Sequence, residues 1–278
     1  MPSHVITAQA RAGGHLAEGD NQSLVESAET GSDALADSGS VSGSGRSYHP
    51  LTPQAAAGED VALRARRAAI AELGDGLREL VERASATEAP QDVLRRVAAQ
   101  VRQAAVLLSQ QTRTRAELPA ADDLLGGFRM YNPVTGSGSA LAPPLHIEVA
   151  GDAVVGTCAL GLAFEGPPTF AHGGVSAMLL DQLLGYATSV AGHPGMTVRL
   201  ELRYRAPVPL QTQLRLTAEV IEVNGRRVTA RGTIAAAAKP GTVLVEASGT
   251  FVGLRAEQAA RMFSGVHPDA TDPLVAHD

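Results

Sequence analysis

A histidine, two glycines and, after six intervening residues, an aspartate stand on one apolar stretch, AHGGVSAMLLDQLLGYATSVAG, residues 171–192. Gly173 and Gly174 at the start of a helix leave backbone N–H groups unpaired, with no side chain in the way. Together with the helix dipole, these groups suit a carbonyl oxygen or a developing oxyanion. Asp181 is the one carboxylate of the stretch, and burying a carboxylate is costly unless something compensates it. With a carbonyl held by the N–H groups, Asp181 has two chemical routes: general base on a water, or direct nucleophile. Both suit hydrolysis of a thioester, whose good leaving group needs only modest activation. The same carboxylate has a structural alternative, an ion pair with Arg199, Arg203 or Arg205.

Spacing adds a constraint. Asp181 lies eight positions beyond Gly173, which on one helix is roughly 12 Å. Oxyanion donors act within about 3 Å of the oxygen they stabilise. A carbonyl at Gly173 is therefore out of reach of a water on Asp181 of the same helix. Two copies of the helix running antiparallel across a twofold axis bring Gly173 of one chain near Asp181 of the other. The expectation is a homodimer or homotetramer with two shared sites per pair of chains.

The elements that must position these residues follow from hydropathy. From Gly173 to Val190 the helix is apolar on nearly all sides, the mark of a buried helix. Six period-2 runs surround it, two before and four after: LHIEVAGD and AVVGTCALGLAF, then TVRLELRYRAPV, QLRLTAEVIEVNG, RRVTARGTIAAAA and TVLVEASGTFVGL. Turn signals at Gly151-Asp152, Asn224-Gly225 and Lys239-Pro240-Gly241 join neighbours as hairpins. One helix within six antiparallel strands gives an α+β class: a sheet wrapped around a central helix, the hot-dog fold. A Rossmann reading fails, because parallel crossovers need several helices.

Residues 1–56 are rich in Gly, Ser and acidic residues and read as a disordered leader. Over 57–116 two amphipathic patterns suggest a helical hairpin. The first carries Val61, Leu63, Ile70, Leu73, Leu77, Leu80 and Val81, with Gly74 and Gly76 weakening its middle. The second carries Val93, Val97, Val101, Ala105 and Leu108. The hairpin has to bury its stripe against the following domain or a second subunit. Residues 117–144 read as an irregular surface linker, 145–256 as the hot-dog domain and 257–278 as a tail beginning with a short helix.

Bulk composition narrows the function. The net charge is -6, which gives no support for nucleic acid as a partner. One cysteine, Cys158, permits no intramolecular disulfide and reads as core packing. The eight histidines are scattered without ligand spacing, so no metal and no cofactor is expected. No secretory signal and no membrane span are read, and the expected location is cytoplasmic.

FEGPPTFAHGGVSAMLLDQLLGYA followed by MTVRLELRYRAPVPL resembles the acyl-CoA thioesterases of the hot-dog superfamily. It is most similar to the branch of human thioesterase superfamily members 4 and 5, and more loosely to the PaaI-type enzymes. The likeness covers roughly residues 145–254. It implies an acyl-CoA substrate, with His172 and Gly173 orienting and polarising the thioester carbonyl, Asp181 as base or nucleophile, and Thr197 supporting the water. One departure concerns the asparagine that PaaI-type enzymes often carry six residues before the histidine, where this chain has Gly166. CoA carries phosphates, so Gly174, Arg203 and Arg205 are candidate substrate contacts, with Arg226-Arg227 as a further pair. The competing reading keeps the fold without the chemistry, as an acyl-CoA sensor or scaffold. A hydratase is disfavoured, because no Asp/His pair stands a few residues apart on one element.

Overall fold

The computed structural model describes residues 5–8, 61–123, 129–143, 145–151 and 153–262. Two helices come first, α1 (Val61–Ala86) and α2 (Gln91–Leu108), after a short strand β1 (Val5–Ala8). Strands β2 (His146–Ala150) and β3 (Ala153–Ala159) precede helix α3 (Gly173–Val190). Then follow β4 (Met196–Tyr204), β5 (Gln213–Asn224), β6 (Arg227–Ala236), β7 (Val243–Val252) and a short helix α4 (Ala256–Met262).

The strands form one sheet in the order β1-β4-β7-β6-β5-β3-β2, and every neighbouring pair is antiparallel. Helix α3 packs on β3, β4, β5, β6 and β7, the hot-dog arrangement expected from the pattern. Leu179, Leu180, Leu183 and Leu184 are fully enclosed, in a cluster with Val154, Leu216, Ile234, Val245 and Phe251. The sheet makes room for them: a Cβ on Gly232 would stand 3.3 Å from both Leu180 and Leu184. Burial of apolar area at about 25 cal/mol per Å² makes the contact of this helix with the sheet strongly stabilising.

Of the expected leader, Val5–Ala8 is a strand lying along Leu200–Arg203 of β4. The rest of the leader, and residues 263–278 of the tail, lie outside the described residues.

Both expected helices are present, but their burial differs from the pattern. Val61, Leu73 and Val81 of α1 are exposed, and the single buried residue is Gly74. A Cβ there would lie 2.1 Å from the Ser137 carbonyl oxygen, so the glycine that weakens the helix on propensity permits its closest approach to the chain. Arg78 beside it donates to the Ser137 and Ser139 carbonyls at 2.8 and 2.7 Å. Helix α2 buries no residue; of its stripe, Val97, Val101, Ala105 and Leu108 are exposed and Val93 is half-buried. The stripe therefore does not close a hairpin against α1.

The stretch read as a surface linker is irregular, yet built into the domain. Val134 joins the main core, and Met130 and Ala142 are buried. Asn132 turns this segment, accepting from the Val134 and Thr135 N–H groups, and donates to Gln182 of α3 at 3.0 Å.

Candidate active site

Two places on α3, its N-terminus and its middle, carry the chemistry-bearing groups. At the N-terminus, residues 165–171 form a tight loop: Gly166 N–H donates to the Phe170 carbonyl, Phe170 N–H to Pro167, and Ala171 N–H to Val208. Glu165 belongs to this loop, accepting from Thr169 N–H at 2.8 Å. His172 leaves the loop in extended conformation as the N-cap of α3. Its Nδ1 accepts from Gly174 N–H at 3.1 Å.

That bond corrects one expectation. Gly173 and Gly174 do not both present free N–H groups, because the His172 ring takes the donor of Gly174. Among the described residues no partner is found for Gly173 N–H, which stays available to an incoming oxygen. The same bond fixes the histidine: with Nδ1 accepting, a neutral ring carries its proton on Nε2. His172 is exposed, so Nε2–H is a second donor at the same helix end.

Tyr204, quoted within the motif but given no role from sequence, holds this end from the sheet. Its hydroxyl donates to the Gly173 carbonyl at 2.8 Å. Burial pushes the phenol up, so it stays a donor. The signal was available in the alternation: Leu200, Leu202 and Tyr204 share the face of β4 that looks toward α3.

Two turns along the helix, Asp181 is half-buried, and its Oδ1 accepts from Thr197 Oγ1 at 3.0 Å. Thr197 should face the other way, since its odd position puts it with Arg199, Glu201 and Arg203. A register shift between Thr197 and Arg199 inserts one residue into β4 and turns Thr197 inward. Burial raises the Asp181 carboxyl above the usual carboxylate range, and the Thr197 bond offsets this only in part. Such a carboxylate is a stronger base than a solvated one.

The ion-pair alternatives for Asp181 are not realised. Arg199 pairs with Glu201, and Arg205 holds Glu246 through Nε and Nη2 at 3.2 and 3.1 Å. Arg203 is exposed on the outer face of β4. The structure thus brings together His172, Gly173 and Tyr204 at one position and Asp181 with Thr197 at another. It leaves Arg203 and Arg205 on the opposite side of the sheet. Arg226 donates to the Gly253 carbonyl at 2.8 Å.

Gly166 is explained by packing. A Cβ there would stand 2.7 Å from the His172 Cα, so the loop that places His172 has no space for an asparagine at this position. Cys158 is buried, and burial pushes its thiol up to about 12; it is core, as expected. Among the described residues no group of three His, Cys, Asp or Glu is arranged to hold a metal, and no helix is long and apolar enough to cross a membrane.

The thioesterase superfamily model matches residues 169–238, from the loop before His172 to the end of β6. A thioesterase superfamily protein of known crystal structure is 37% identical, with a TM-score of 0.60, covering 66% of this chain and 94% of that one. The chain belongs to the thioesterase superfamily. Human acyl-coenzyme A thioesterase THEM5 is 29% identical over 98 residues, 35% of this chain. Mouse acyl-coenzyme A thioesterase THEM4 is likewise 29% identical over 98 residues. The match spans 39% and 42% of the length of these two curated relatives. As a superfamily member, this chain carries the matched segment around α3 together with the helices α1 and α2, which lie ahead of it.

Proposed function

We propose that this protein hydrolyses acyl-CoA thioesters to a free acid and CoA, in sites shared between two copies of the chain. The observation that carries the reading is the Asp181–Thr197 pair, a burial-raised carboxylate with one oxygen held at 3.0 Å and the other left for a water. The names of the relatives support the substrate class. Gly173 N–H and His172 Nε2–H receive the thioester carbonyl. Water attacks the carbonyl carbon while Asp181 of the second copy takes its proton. The tetrahedral oxyanion rests on the two donors. The C–S bond then breaks, and the proton passes from Asp181 to the leaving CoA sulfur, restoring the carboxylate. Direct attack by Asp181 is the other route, through a mixed anhydride that water hydrolyses.

The second copy enters the reading because Gly173 and Asp181 of one continuous α3 lie roughly 12 Å apart. Among the arginines, Arg203 is the better candidate for a CoA phosphate, because Arg205 is engaged by Glu246. The test is release of free thiol from short, long and aromatic acyl-CoAs by wild type and Asp181→Asn. Turnover abolished by the substitution is expected. Turnover that survives it would remove Asp181 from the mechanism, and tight acyl-CoA binding with no turnover would make the protein a sensor. Full activity in a demonstrably monomeric protein would refute the shared site.

A further inference from the structure

Glu82, near the C-terminal end of α1, is placed unlike an ordinary helix-surface glutamate. Its two oxygens accept from backbone N–H groups 80 and 81 residues away: Oε1 from Leu162 at 2.9 Å and Oε2 from Ala163 at 3.2 Å. Leu162 and Ala163 open the single 3₁₀ turn Leu162–Phe164, whose own N-cap, Gly161, offers no side chain. The first N–H groups of such a turn are unsatisfied within it, and Glu82 supplies the missing acceptor. Gly161 keeps the space clear: a Cβ there would stand 2.2 Å from the Glu82 carboxylate.

The turn leads directly to the candidate site. The Phe164 carbonyl accepts His172 N–H at 2.9 Å, and Leu162 and Phe164 pack against the main core. A continuous set of bonds thus runs from Glu82 through the 162–164 turn to the residue whose ring caps α3 and sets its own Nε2–H. We infer that Glu82 is a positioning residue for His172, and that α1 braces the carbonyl-binding end of the site from outside the superfamily segment, which begins at residue 169. The inference rests on the hydrolase reading for its effect on rate, but not for its effect on structure.

Two variants separate positioning from mere docking of α1. Glu82→Ala removes both acceptors, whereas Arg78→Ala removes a different α1 contact, to the Ser137 and Ser139 carbonyls and to Asp75 within the helix. With Glu82→Ala, kcat for acyl-CoA hydrolysis falls roughly ten- to a hundredfold, as misplacement of a reacting group does, with little change in KM. Hydrogen exchange at the Leu162, Ala163, His172 and Gly174 amides accelerates. Glu82→Gln, which keeps one accepting oxygen, recovers most of both, and Arg78→Ala leaves both near wild type. Unchanged exchange at His172 and Gly174 in Glu82→Ala, or the same losses from Arg78→Ala, overturns the inference. If the wild type hydrolyses no thioester, the hydrolase reading fails and the exchange measurements still decide the bracing of His172.

Discussion

Helices α2 and α3 are both 18 residues long, yet eight residues of α3 are buried and none of α2 is. The difference lies in what each sequence presents around its circumference. α3 gathers its four leucines, Leu179, Leu180, Leu183 and Leu184, on one broad face, and the strands it packs on enclose all four. α2 has a single stripe, backed by Arg95, Arg96 and Arg102, and no described element lies over that stripe. An amphipathic period predicts a helix well. It does not by itself say which surface the helix meets, because that depends on partners elsewhere in the chain. α1 makes the same point in part: Leu63, Ile70, Leu77 and Leu80 of its stripe are half-buried, but it docks also through Gly74, Arg78 and Glu82, none of which registers as hydrophobic.

Substitutions along the two helices sharpen this contrast. The largest effect is expected at the one charged position of α3. Asp181→Asn lowers kcat about 10²- to 10⁴-fold in the thiol-release assay, the range for loss of a general base. The same variant gains stability. The carboxyl is raised in the folded state, so ionising it costs folding free energy as pH rises from the unfolded value of 3.8 through the folded one. Thermal melts should therefore show Asp181→Asn above wild type at neutral pH and level with it once the acid is protonated in both states. The activity of the wild type rises with pH across that raised value and then levels.

Next comes the core. Leu184→Ala, at a fully enclosed position, costs about 2–5 kcal/mol in denaturant unfolding. Gly74→Val forces a side chain onto the Ser137 carbonyl and costs about 1–3 kcal/mol as α1 shifts. Val101→Ala on the α2 stripe, an exposed position, shifts stability by no more than about 0.5 kcal/mol at low protein concentration. A cost there approaching that of Leu184→Ala would break the comparison, since it would show the stripe enclosed.

Much of this architecture is legible in the sequence. The order of two strands, a helix and four strands follows from strong periodicity, and the bounds of α3 coincide with its apolar run. Asp181 stands out as the misplaced charge. Thr197 is another matter: on strict alternation it faces away from α3, and only the register shift before Arg199 turns it in. An inserted residue of that kind leaves no mark on a period-2 pattern. The number of free N–H groups at Gly173-Gly174 is hidden for a similar reason, since it depends on which way the His172 ring turns. Glu82 was invisible because its partners are backbone groups far along the chain, which have no residue identity to read.

Cys158 has a practical consequence. It is the one cysteine of the chain, enclosed in the core with its thiol held protonated up to about 12. In an assay that detects free sulfhydryl, the folded protein contributes almost no background, so the signal reports CoA alone. The chain is also a ready scaffold for spectroscopic labels: a cysteine introduced on exposed α2 would be its single reactive thiol, and a probe placed there would report directly on what the stripe meets.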